Sequence, residues 1–148
     1  MALREARRDD VRRIVAMLAD DELGQSRETL SGDMAGYYAA FDVIAADPNN
    51  ALYVWEEDGE VVGCAQLIFL PGLSYQGAWS AQVEGVRVDS SRRGRKIGEK
   101  LMAAIIEKSR TRGCHRLQLK SNNQRLAAHR FYQRLGFDKS HVGMKLDL

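Results

Sequence analysis

The alternation of apolar and polar residues that begins at Trp79 changes phase at Glu84 and Gly85. Apolar residues occupy every second position up to Val83, and the alternation resumes one residue out of phase at Val86. An extra residue beside a glycine is typical of a β-bulge in a strand. A bulge interrupts the hydrogen-bond ladder of the sheet, so the pattern predicts a strand whose backbone can bind a ligand close to Glu84.

A cluster of cations follows this strand where a helix is predicted to begin, at Arg92, Arg93, Arg95 and Lys96. Positive charge is unfavourable at a helix N-terminus unless an anion binds, because the N–H groups and the dipole there are already positive. Glycines at positions 94 and 98 let the backbone approach a ligand, so the segment predicts a diphosphate site. The alternative is a solvated basic turn, which would have the same composition as this segment. The spacings of a P-loop and of a dinucleotide-binding loop are both missing.

The remaining periodicity predicts one α/β domain over residues 1–148. Its element order, β-α-α-β-β-β-α-β-α-β, favours a single mixed sheet with helices on both faces. The predicted strands flanking the bulged one are Ala2–Ala6, Ala51–Glu56, Val61–Leu70, His115–Lys120 and Val142–Leu148. The first predicted helix carries an apolar stripe from Val11 to Leu18. The other three run over about Thr29–Ala46, Arg93–Gly113 and Arg125–Leu135.

Composition excludes several classes of protein and names no function. A hydrophobic fraction of 45% and a charged fraction of 28% are ordinary for a soluble folded protein, and a formal charge of +2 is too small to indicate a nucleic acid partner. Cys64 and Cys114 do not belong to a close cysteine and histidine cluster, so no metal site is predicted. Since the chain shows neither a signal-peptide pattern nor an apolar run that could span a membrane, we expect a cytoplasmic protein.

Two stretches of the second half, VEGVRVDSSRRGRKIGEKLM and AAHRFYQRLGF, resemble the GNAT superfamily of acyl-CoA-dependent N-acyltransferases. The family's loop pattern falls on Arg93, Lys96 and Gly98, with Lys96 in the place of a glycine. The resemblance implies a mostly antiparallel sheet with a bulged fourth strand, and acetyl-CoA as the acyl donor. Its diphosphate is then expected at a loop made of Arg93, Gly94, Arg95, Lys96, Ile97 and Gly98.

The family's second signature maps onto Arg125, Ala128, Tyr132, Gly136 and Phe137. Arg125 replaces an asparagine that in the family helps to hold the pantetheine arm, so Arg125, Asn122 or Asn123 is expected to take over that role. In similar enzymes the backbone of the bulged strand faces the thioester and pantetheine. The resemblance therefore implies cofactor-binding positions at Val86, Arg87, Val88, Asn122, Arg125, Ala128 and Tyr132, with Val86 as an oxyanion donor.

An acetyl transfer to an amine needs proton acceptance before attack and proton donation afterwards. An amine with a pKa near 10.4 costs about 4–5 kcal/mol to deprotonate at pH 7. Glu84 at the bulge is the candidate base, directly or through water, although a surface glutamate is the alternative. The family's tyrosine acts as general acid toward the thiolate, which implies that role for Tyr132. The alternative for Tyr132 is that it is a core aromatic residue on an apolar stripe of the helix.

The function predicted is therefore an N-acetyltransferase that works by direct attack in a ternary complex. The alternatives are a non-catalytic acyl-CoA sensor and a basic nucleic-acid-binding module that uses Arg92–Lys100. The expected partner is a small-molecule or peptide amine, and a homodimer is common among similar proteins. Neither nucleic acid nor membrane is expected as a partner.

Overall fold

Five strands form one sheet in the computed structural model, in the order β1-β2-β3-β4-β5. The first four strands pair antiparallel and β5 pairs parallel to β4, which confirms a mixed and mostly antiparallel sheet. The structure describes residues 2–148, apart from the side chain of Glu22, so Met1 of the predicted domain lies outside the described residues. The strands are β1 (Ala2–Glu5), β2 (Asn50–Glu57), β3 (Glu60–Leu70), β4 (Ser80–Val88) and β5 (Arg116–Gln118).

The helices divide between two compact units, residues 2–118 and residues 119–148. The first unit holds the sheet with α1 (Val11–Ala19), α2 (Glu22–Arg27), α3 (Ala35–Ala46), the four-residue α4 (Ser74–Gly77) and α5 (Ile97–Thr111). The second holds α6 (Leu126–Arg134). Among the described residues, no helix has the length and apolar character needed to cross a bilayer. One domain over the whole sequence stays a prediction.

Helices cover both faces of the sheet, as the element order predicts. Cys64 of β3 packs in a buried cluster with Ile14 and Met17 of α1. Successive residues of a strand face opposite sides of the sheet. A Cβ atom on the neighbouring Gly63 would lie 3.5 Å from Leu101 of α5, so α5 covers the other face.

The predicted bulge is present in β4. Between the pair Cys64/Arg87 and the pair Gln66/Glu84, β4 contains one residue more than β3. Gly85 lies in the extra stretch with a φ of 61°, a left-handed conformation that glycine adopts without a steric penalty. The Cys64 thiol donates to the Gly85 carbonyl oxygen over 3.5 Å, and because burial raises the pKa of this thiol to about 12, it stays protonated as a donor.

Two of the predicted helices begin later than their sequence patterns indicate. The helix predicted from Thr29 begins at Ala35, whose amide donates to Asp33 Oδ1 over 2.9 Å. The helix predicted from Arg93 begins only at Ile97. Residues 94 and 96 have φ values of 87° and 60°, which a right-handed helix cannot contain.

The strand predicted at Val142–Leu148 is wrong, since this segment has no strand conformation in the structure. Its apolar side chains are exposed rather than packed, and they are Val142, Met144, Leu146 and Leu148. Alternating apolar residues favour a strand but do not form one without a neighbouring strand to complete the hydrogen-bond ladder.

Candidate functional site

Strand β5 pairs with β4 only over the first three residues of β4. Ser80–Gln82 pairs with Arg116–Gln118, and within residues 2–148 no strand pairs with Val83–Val88 on the β5 side. An unpaired strand edge presents backbone N–H and C=O groups that a ligand can bind. The predicted ligand-binding positions from Val86 to Val88 lie on this open stretch of β4.

The basic loop follows the open stretch of β4 without interruption. Asp89 accepts hydrogen bonds from the Ser91 amide over 2.8 Å and from the Ser91 hydroxyl over 2.9 Å, which shapes the turn Ser90–Arg92. These bonds, and then the ion pair with Arg13, lower the pKa of Asp89 below its usual range. An ionised Asp89 therefore connects α1 to the start of the loop.

The first turn of α5 has the uncapped start on which the predicted phosphate site depends. The helix has no side-chain cap, and its first internal bond runs from the Lys100 amide to the Lys96 carbonyl oxygen over 3.1 Å. The amides of residues 97–99 precede that bond, so they are the groups that a helix N-terminus offers to an anion. Three exposed cations precede them in the chain, and these are Arg93, Arg95 and Lys96.

Arg92 does not join this group of cations. Its Nη2 atom forms an ion pair with Glu60 of β3, and its side chain is only 20% exposed. The sequence cluster of four cations is therefore a group of three in the structure, with Arg92 joining the loop to the sheet.

Lys96, which stands where the resembled family pattern has a glycine, has a left-handed backbone conformation. Its φ of 60° and ψ of 24° place it in the left-handed region, immediately before α5. A residue with a Cβ atom is strained there by about 1–2 kcal/mol. Lys96 therefore holds this conformation at a cost in backbone strain.

We expect Lys96→Gly to raise the free energy of unfolding by about 1 kcal/mol, because it relieves that strain. Lys100→Gly is the matched control, since it removes the same charge from an exposed position inside α5. Glycine inside a helix is unfavourable, so the control should lose about 1 kcal/mol. Urea denaturation of the ligand-free protein measures both changes, and a loss of stability in both variants would contradict the assignment.

Glu84 lies at the bulge on the face of the sheet that α1 covers in part. It is half-buried, it pairs in register with Gln66 of β3, and its Oε1 accepts a hydrogen bond from Gln82 Nε2 over 2.6 Å. The carboxylate thus has a defined position beside the open edge of β4. Its role as a base stays a prediction.

The side chain of Arg87 is directed toward α2 and its own strand. Its Nη1 donates to the Val86 carbonyl oxygen over 2.8 Å, and its Nη2 lies 3.4 Å from Asp21 Oδ2. Asp21 caps α2 by accepting a bond from the Gly24 amide. A cofactor contact at Arg87 is therefore expected from its backbone, while the guanidinium joins α2 to β4.

In the second unit, Asn122 builds the turn that precedes α6. Its carbonyl oxygen accepts the Arg125 amide over 3.0 Å and lies 2.9 Å from His129 Nε2, and its Oδ1 accepts the Gln124 amide over 2.9 Å. The Asn122 side chain is thus engaged within the turn. Arg125, the last residue before α6, provides no side-chain cap to the helix.

Tyr132 belongs to an aromatic cluster within the second unit. Its ring centroid lies 5.2 Å from that of Phe131 and 5.7 Å from that of Phe137, both in edge-on geometry. Tyr132 and Ala128 on the same helix are half-buried. The ring therefore packs against two aromatic neighbours without being fully buried, and the acid role of the hydroxyl stays a prediction.

Two residues beside the candidate base are missing from the sequence-based site, Gln82 and Gln118. Gln82 stands two positions before Glu84, and strand alternation could have placed both on one face. Gln118 pairs with Gln82 across two strands that are distant in sequence, so local patterns carry no signal for it.

The chain is similar in sequence and structure to known proteins. A model of the Acetyltransferase (GNAT) family matches residues 3–137. Over 97 residues the chain is 34% identical to glucosamine 6-phosphate N-acetyltransferase of Trypanosoma brucei brucei, a match that covers 66% of this chain and 64%, just under two thirds, of that enzyme. Over 142 residues it is 32% identical to aminoalkylphosphonate N-acetyltransferase of Salmonella typhimurium, covering 94% and 86% of the two chains. The crystal structure of a transcriptional regulator from Bacillus halodurans superposes with a TM-score of 0.95, at 44% identity over 99% of each chain.

Proposed function

The chain belongs to the GNAT family of acetyl-CoA-dependent N-acetyltransferases, and we propose that it transfers the acetyl group to a primary amine by direct attack in a ternary complex. One observation carries this proposal. The open stretch of β4, Val83–Val88, is followed by the basic loop 89–96 and then by the uncapped start of α5. A strand edge for an extended amide-containing arm and a helix start for a diphosphate are thus joined in one continuous segment.

The cofactor would contact this segment mainly through backbone groups. The amides of residues 97–99, together with the exposed cations Arg93, Arg95 and Lys96, suit a diphosphate. The backbone of Val86 and Val88 is available for the pantetheine arm and thioester, with the Val86 N–H as the donor to the developing oxyanion. From the resemblance, Asn122, Arg125 and Ala128 remain the predicted positions for binding pantetheine.

The transfer from an ammonium group requires three proton movements: two protons leave the nitrogen and one is given to the sulfur. Glu84 would accept a proton from the ammonium group of the acceptor, directly or through water, so that the amine nitrogen can attack the thioester carbon. The new C–N bond forms, the C–S bond breaks, and the electron pair of that bond leaves with sulfur. The hydroxyl of Tyr132, at the position of the family's acid, would protonate the departing thiolate. The second proton, which nitrogen loses as the amide forms, would then restore the Tyr132 hydroxyl.

The acceptor we favour is a small-molecule amine. The two curated relatives are named for glucosamine 6-phosphate and for aminoalkylphosphonates, which are small amines that carry a phosphorus oxyanion. These two compounds are therefore the first to test, and a peptide amine is the remaining class.

Binding of acetyl-CoA is the measurement that tests this function most directly. We expect acetyl-CoA at 100 times its dissociation constant to stabilise the fold by about 2.7 kcal/mol, with saturable heat in calorimetry. Acetyl-pantetheine, which lacks the diphosphate, is the control ligand and should stabilise far less. A panel of amines that includes both candidate acceptors, followed by release of free thiol, identifies the substrate.

Each alternative function gives a different result in these assays. A sensor binds acetyl-CoA but releases no thiol with any amine. A nucleic-acid-binding module binds polyanions with a steep salt dependence and gains no saturable stability from acetyl-CoA. If millimolar acetyl-CoA gives neither heat nor stabilisation, the transferase proposal fails.

A further inference from the structure

Two glutamine side chains connect β5 to Glu84 at the end of the pairing between β4 and β5. Gln82 and Gln118 form the last residue pair between the two strands. Gln118 Nε2 donates to Gln82 Oε1 over 3.2 Å, and Gln82 Nε2 donates to Glu84 Oε1 over 2.6 Å. We call these three side chains the amide bridge.

The polarity of the amide bridge follows from its carboxylate end. An ionised carboxylate only accepts hydrogen bonds, so Gln82 must present its NH₂ group to Glu84. Its oxygen is then directed to Gln118, which meets it with a donor. Rotating the Gln82 amide by half a turn would replace both bonds with repulsive contacts, so the two bonds together fix its orientation.

We propose that Gln82 is a positioning residue that holds the Glu84 carboxylate for proton transfer, and that Gln118 acts through Gln82. This inference rests on the proposed function, in which Glu84 is the base. A base contributes only when its oxygen is aligned with the proton that it accepts, and a glutamate side chain has freely rotating bonds. A short bond to a fixed amide removes that freedom.

A second glutamine on the same face shows that the arrangement is specific to Gln82. Gln66 lies directly opposite Glu84 in the register of β3 and β4. Its Nε2 donates instead to Asn50 Oδ1 over 3.0 Å. The two glutamines therefore provide a matched pair, alike in residue type, face and partial burial.

The test replaces each glutamine with methionine, which has similar size and no strong hydrogen-bond donor. We expect Gln82→Met to lower kcat about tenfold while KM for acetyl-CoA stays within twofold, since a bond to a charged group is lost beside the reacting atoms. Gln118→Met should lower kcat about threefold, and because Gln118 is exposed this variant should fold even if Gln82→Met does not. Gln66→Met should stay within twofold of the parent enzyme.

The same substitutions in a Glu84→Gln background separate the two proposals. There, Gln82→Met should change the residual kcat less than twofold, because no carboxylate remains to be oriented. If Glu84→Gln itself keeps full activity, the base assignment fails and the amide bridge fails with it. The positioning role alone is overturned if Glu84→Gln is inactive while Gln82→Met keeps kcat within twofold. It is also overturned if Gln66→Met lowers kcat as much as Gln82→Met does.

Discussion

Replacing Glu84 with glutamine is expected to lower kcat by about 100-fold at pH 7, the loss typical for removal of a general base. Glutamine has the size of glutamate and keeps an oxygen that can accept the bond from Gln82 Nε2, so the local structure should be retained. Free thiol released at saturating amine measures the rate, and calorimetry should show acetyl-CoA binding within twofold of the parent enzyme.

The pH dependence of this variant distinguishes a base from a packing residue. Each pH unit below the pKa of the amine reduces its neutral form tenfold, and that neutral form is the one able to attack without a base. We therefore expect the deficit of Glu84→Gln to shrink as the pH approaches the pKa of the acceptor. Glu107→Gln, at an exposed position on α5, is the control and should have parental rates. A deficit that is constant over the whole pH range would contradict the base role.

Replacing Tyr132 with phenylalanine is expected to lower turnover about 100-fold with acetyl-CoA affinity nearly unchanged. The substitution removes only the hydroxyl, so the ring can keep its edge-on packing with Phe131 and Phe137. Without a proton donor, the sulfur must leave as a thiolate. The rate is measured by thiol release and the binding by calorimetry.

Tyr75→Phe serves as the control for this second substitution, because Tyr75 is 63% exposed in the turn at Ser74–Gly77. It should have parental turnover. If Tyr132→Phe turns over at the parental rate as well, Tyr132 is a packing residue and the departing thiolate is protonated by another group.

The candidate site was predictable where its signals lie in consecutive residues. The phase change at Glu84 and Gly85 indicates the bulge, because a two-residue period cannot absorb an extra residue without one. The cations and glycines from Arg93 to Gly98 indicate an anion site, because a helix start is already positive. The resemblance to the family added Tyr132, for which the helical stripe alone is equally consistent with packing.

What the sequence alone determined is therefore the order of the five strands with α1, α3, α5 and α6, the bulge, and the basic start of α5, all of which depend on residues close together in the chain. Tertiary structure alone decided which charged and polar side chains meet. Arg92 pairs with Glu60, Arg87 with Asp21, and Gln118 reaches Glu84 through Gln82. It also decided that the alternating residues of 142–148 do not form a strand. The physical reason is the same in each case: such contacts depend on which distant segments pack side by side, and local periodicity does not encode that choice.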